Sequence, residues 1–207
     1  MKNAALSRAL KWLFIAQLLS IVALLPLVYN LRSLLGAAAG LLTLAALVRA
    51  AREASGYRAA LVLCVANLVL GALSSVLLRW FIYFLIRMLG TWAVQIVGAL
   101  SALLSMAGMV LGLLILRQVC LTTAGLVDDP AVAARGIRAW RINLICTVAV
   151  LLLTAAVSAL LKIGLDMEKL LGLSTAVTLL SAVAQLAARV LYLHFLWQSA
   201  RCLSARD

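Results

Sequence analysis

Six residues, Ser174, Thr178, Ser181, Gln185, Arg189 and Tyr192, step by 4, 3, 4, 4 and 3 through the last apolar segment of the chain. That spacing puts hydroxyl, amide, guanidinium and phenol groups on one face of a helix. Such a face can hydrogen-bond a neighbouring helix or a solute, and the guanidinium adds a permanent positive charge. His194, the only histidine, follows within the same segment. Acid–base chemistry at membrane depth needs a positioned His, Asp or Glu. Here no carboxylate stands in an apolar run to orient the imidazole. The six acids, Glu53, Asp128, Asp129, Asp166, Glu168 and Asp207, fall between the runs or at the terminus. HExxH, GxSxG and P-loop patterns are also missing, so the expectation is a protein that is not an enzyme.

The four cysteines, Cys64, Cys120, Cys146 and Cys202, have no CxxC spacing and only one histidine in the whole chain for company. That argues against zinc, haem attachment and thioredoxin chemistry, and no cofactor is expected. If the helix ends converge, the thiolates could hold a soft metal. The plainer reading is reduced, inert thiols.

Other segments carry similar faces. Cys64, Asn67, Gly71 and Ser74 share one, as do Ser101, Ser105, Gly108 and Gly112, and Asn143, Thr147, Thr154 and Ser158. Gly36-xxx-Gly40 and Gly108-xxx-Gly112 have the spacing that lets helix backbones approach closely. The bland expectation is that these are packing faces of a helix bundle. The sharper one places Asn67, Gln95, Gln185 and Arg189 around a polar cavity reachable from one side.

The elements that must position these residues follow from composition. Of 207 residues, 67% are hydrophobic and 12% charged, with a mean hydropathy of +1.18. That leaves too little polar surface for a water-soluble globule. The net charge of +12 does not point to nucleic acid, because the basic residues stand at the ends of apolar runs. The fold expected is all-α: a polytopic integral membrane protein with a six-helix bundle in one domain over 1–207. The charge-free spans are approximately 12–31, 33–48, 59–78, 89–116, 142–161 and 170–189, and each is judged against the ~20 residues that cross a bilayer. Pro26 predicts a kink in the first, which reads as an uncleaved span.

With the N-terminus inside, 13 Lys and Arg lie on the cytoplasmic side and 5 outside. The positive-inside bias therefore puts both termini in the cytoplasm, across a cell (plasma) membrane. Arg79–Met88 reads as an interfacial aromatic helix on the outer side. The stretch 117–141 reads as the long cytoplasmic loop. Within it, Asp129 and Pro130 are expected to cap and start a helix bearing Arg135, Arg138 and Arg141. The partners expected are the bilayer, anionic headgroups at the basic loops, and a membrane-protein partner or second copy.

A shift of 82 superposes Cys64 on Cys146 and Cys120 on Cys202, which suggests three tandem helical hairpins. Measured from Gly172, Arg189 lies about 25 Å along its helix. That places it near the inner boundary, where the expectation is a snorkelling arginine followed by a cytoplasmic tail. In size, span number and basic connections the chain is similar to the substrate-binding subunits of energy-coupling-factor transporters. That likeness is one of architecture and carries no residue across. The leading functional reading is a non-enzymatic scaffold, regulatory or accessory membrane component; the alternative is a small-solute transporter or its substrate-binding subunit.

Overall fold

The computed structural model describes residues 2–23, 31–89, 91–162 and 167–205. They are all-helical: α1 Lys2–Val22, α2 Arg32–Glu53, α3 Tyr57–Leu89, α4 Thr91–Leu126, α5 Pro130–Lys162 and α6 Met167–Ser204. All six contain stretches long and apolar enough to cross a membrane. Each helix packs on its neighbours in the chain, and α1 also packs on α6. The six therefore close into a ring, with both chain ends on one side. There Ser7 Oγ of α1 donates to the Ala200 carbonyl of α6 at 2.7 Å.

The helices outrun the charge-free spans on which the expectations rest. α1 is already helical at Lys2, and α4 continues unbroken through 117–126. Only 127–129 of the stretch read as a loop lie outside a helix. The reason is amphipathicity, which a search for uncharged runs cannot register. Leu6, Ala9, Leu10 and Leu13 are buried on one face of α1 while Arg8 and Lys11 are exposed on the other. The tail expected after Arg189 is likewise a packed part of α6. Tyr192, Phe195, Leu196, Ala200 and Leu203 are all buried, at the i, i+3, i+4, i+8, i+11 spacing of a core-facing stripe.

α3 also runs straight through Arg79–Met88, so that stretch is not a separate interfacial helix; Trp80 and Phe84 stand exposed on it. Asp129 and Pro130 do start α5, with the Ala131 N–H donating to Asp129 Oδ1 at 2.8 Å. Pro26 lies outside the described residues. Equivalent hairpins offset by 82 would start their helices at that offset, but Tyr57 and Pro130, which open α3 and α5, are 73 apart (130 − 57).

Among the described residues, the packing of α3–α6 is concentrated at the end that carries the termini. The core joins Leu10, Leu13, Leu47, Tyr57, Phe195 and Leu196. After Cys64 in α3, before Val119 in α4, after Asn143 in α5 and before Ala188 in α6, no described residue is buried. Cross-helix polar links sit in the same layer. Tyr57 Oη and Thr123 Oγ1 are 2.6 Å apart, and Gln118 Nε2 donates to the Gly56 carbonyl at 3.2 Å. Outside this core lies a basic girdle of exposed side chains: Arg8, Lys11, Arg49, Arg52, Arg58, Arg117, Arg135, Arg138, Arg141 and Arg201. Arg49 covers Trp12 at 4.6 Å from the ring centroid and Arg117 covers Trp140 at 5.8 Å, contacts attractive through the ring quadrupole.

One glycine sets how closely α5 and α6 approach. A Cβ on Gly136 would stand 2.6 Å from the buried Phe195 ring, so the ring or the helices must shift. Gly136→Ala is therefore expected to destabilise the fold by about 1–3 kcal/mol, read as a lower Tm in detergent. Gly36→Ala is the control: its Cβ meets nothing within 4 Å, and its Tm should be unchanged or slightly raised.

Candidate functional site: a central polar cavity

Directly above the packed layer, the ring encloses a cavity of about 570 Å³ to which all six helices contribute. That is within the range of small-molecule sites. Leu13, Cys64, Val119 and Tyr192 belong both to its lining and to the core, so the packed layer forms its floor. Towards the opposite end of the bundle, no described residue of α3–α6 is buried.

Asn67, Gln185 and Arg189 line this one cavity. Gln95 belongs to α4, but its side chain lies outside the described ones. The helix faces identified by their spacing turn inward here: Ser105, Gly108 and Gly112 from α4, Asn143, Cys146 and Thr147 from α5, and Gln185, Arg189 and Tyr192 from α6. Some of their polar groups are satisfied within their own helices. Thr147 Oγ1 donates to the Asn143 carbonyl and Thr178 Oγ1 to the Ser174 carbonyl, each at 2.8 Å. Asn143 Nδ2 donates to Ala139 of α5 at 2.9 Å and to Ala188 of α6 at 3.0 Å, tying the two helices together beneath the cavity. The amides of Gln17, Asn67 and Gln185 make no hydrogen bond to a described residue.

The glycine pairs serve only in part as close-packing faces: a Cβ on Gly40 would stand 3.0 Å from Leu68 of α3. Gly36 and Gly112 would direct a Cβ into open space, and all four glycines line the cavity. The missing side chains help to make its volume. Gly40 and Gly108 face side chains across the gap, Leu68 and Asn67 respectively.

Arg189 is the principal correction. Its side chain turns into the ring: it is half-buried, lines the cavity, and donates from Nη1 to Ser20 Oγ of α1 at 3.1 Å. The tail expected beyond it is in fact the part of α6 that packs on α1, and this packing aims the guanidinium inward. His194 is exposed on the outside of the ring, beside Arg135 and Arg138. Among the described residues no three His, Cys, Asp or Glu side chains converge.

Sequence reasoning missed Gln17 and Ser20, which complete the wall beside α6. The signal was available: Leu13, Ala16, Gln17 and Ser20 all line the cavity, at i, i+3, i+4 and i+7. The cysteines divide by place. Cys64 and Cys146 line the cavity, Cys120 is fully buried in the core, and Cys202 is half-buried beside it. A small hydrophilic thiol reagent applied in detergent should therefore modify Cys146 and spare Cys120, with peptide mass spectrometry locating the adduct. Cys120 modified before Cys146 would contradict an open cavity above a closed floor.

No family model, curated protein or solved structure matches the chain, so a reading of its function rests on the ring, the cavity and their chemistry.

Proposed function

We propose that this integral membrane protein is a small-solute transporter or the substrate-binding subunit of one, and not an enzyme. The observation that carries this is the central cavity: about 570 Å³, lined from every helix, with three amides that have no partner among the described residues. Stable packing of a bundle needs no such space, since helix association in lipid depends on close contact of small residues. A scaffold presenting polar stripes to partner helices would turn those stripes outward. Here Gln185, Arg189, Asn67 and Ser105 face the interior.

The charge-free bands match the bilayer core, so in this proposal the basic girdle meets anionic headgroups on the cytoplasmic side of the plasma membrane. The packed end and both termini then lie in the cytoplasm, and the cavity opens outward. Cys120 is too buried to report on this topology. An exposed position is suited to it: with the cavity thiols removed by Cys64→Ala and Cys146→Ala, a cysteine placed by Ser204→Cys should react with an impermeant maleimide only after cells are permeabilised. Labelling in intact cells would reverse the orientation.

The binding role is tested by a thermal-shift screen of the purified protein against amino acids, vitamins and metal ions. At least one compound should raise Tm, by an amount that grows with its concentration. Gly112→Phe fills the cavity from a position where the backbone leaves room, and should fold normally yet lose that response. Silence across the screen, or an undiminished response in Gly112→Phe, would remove the support for a solute site.

A further inference from the structure

Among the described residues, Arg189 is the only charged side chain that lines the cavity. None of the six carboxylates, Glu53, Asp128, Asp129, Asp166, Glu168 and Asp207, stands in a charge-free span. The guanidinium has five N–H donors, and its hydrogen bond to a described residue is the one to Ser20. Among the described residues, the guanidinium thus faces the cavity with no carboxylate beside it. Charges at such depth are ordinarily paired, or mark the path of a substrate or ion.

We infer that Arg189 binds the anionic group of a small monocarboxylate held in the central cavity, an assignment that rests on the solute-binding reading above. The planar fork of a guanidinium matches the two oxygens of a carboxylate. Ser20, which already holds Nη1, fixes the orientation of that fork from α1. Gln185, one turn before Arg189 on α6, and Gln17, nearly one turn before Ser20 on α1, bring free amides beside the same spot. Asn67 supplies another from α3. These groups can satisfy further polar atoms of the solute, while Leu13, Leu68, Met109 and Leu113 offer apolar surface for its body.

Charge balance selects the class. One cation neutralises one negative charge, and among the described residues no Lys, second Arg or His lines the cavity to neutralise another. A dianionic phosphate would leave net negative charge in a site poor in water, and a cation would add to the positive charge already there. A neutral solute would leave the guanidinium without a counter-charge.

Two measurements on the purified full-length chain test this. The first reads the potential of the cavity through the native thiol of Cys146, which lines it. An anionic sulfonatoethyl methanethiosulfonate should react faster there than the cationic trimethylammonioethyl reagent. After correction for their rates with a free thiol, the difference should be roughly tenfold for a single charge at this range. Arg189→Lys should keep this preference, and Arg189→Gln should abolish it.

The second measurement compares propionate, benzoate, 4-aminobenzoate and nicotinate, each beside its primary amide, by the concentration dependence of Tm. Inorganic phosphate and phenyl phosphate form a third arm. At least one acid should stabilise the protein while its amide does not. Arg189→Gln should weaken that acid roughly 10- to 100-fold, the loss expected for hydrogen bonds to a charged group. Arg189→Lys, which keeps the charge but loses the fork, should fall between the two.

Equal rates at Cys146, silence from every acid, phosphates acting more strongly than acids, or amides acting as well as acids would each overturn the assignment. In the last case, an amide response that disappears in Gly112→Phe but survives Arg189→Gln would leave the solute site standing and remove only its charge.

Discussion

The closure of the ring at one end is the contact on which the rest of the structure depends. α1 and α6 are separated by nearly the whole chain, yet Ser7 reaches the Ala200 carbonyl. Leu10 and Leu13 share a core with Phe195 and Leu196. Once this seam is made, every helix has two neighbours and the interior is enclosed. Without it the six helices would form an open sheet of hairpins, and Ser20 would not meet Arg189.

Concentrating close packing at that end also explains why a cavity exists. In lipid, apolar side chains gain nothing by facing each other over facing acyl chains, so helices hold together where small residues and buried polar links permit contact. The terminal layer has both, with Gly136 against Phe195 and Tyr57 against Thr123. Above it, glycines at 36 and 112 face open space, and the helices enclose volume in place of filling it. Polar groups then turn inward because each one facing hydrocarbon without a partner is costly.

Much of this was legible residue by residue. Six spans followed from uncharged runs, and the stripes through Asn67, Ser105, Asn143 and Gln185 followed from 3.6-residue spacing. Asp129 and Pro130 announced the start of α5. What the sequence obscured was helix length, because charges interrupt a hydropathy scan without interrupting a helix. Arg8 and Lys11 sit on the exposed face of α1, and Arg117 on the exposed face of α4. Treating such charges as span ends made 117–126 part of a loop and 190–200 a helical extension along the membrane surface, when both are helix packed in the bundle.

By itself, then, the chain's pattern of apolar runs and periodic polar residues determined that it is an all-helical membrane protein, and which residues share a face. Such patterns are local, written in spacings of three and four. The direction in which each face points was decided only by tertiary structure, because it depends on contacts between residues far apart in the chain. Arg189 shows the difference. Its level along α6 could be estimated from its position in the chain. Whether it reached outward to headgroups or inward to a cavity depended on α1 docking against α6, which brings Ser20 within 3.1 Å of its guanidinium.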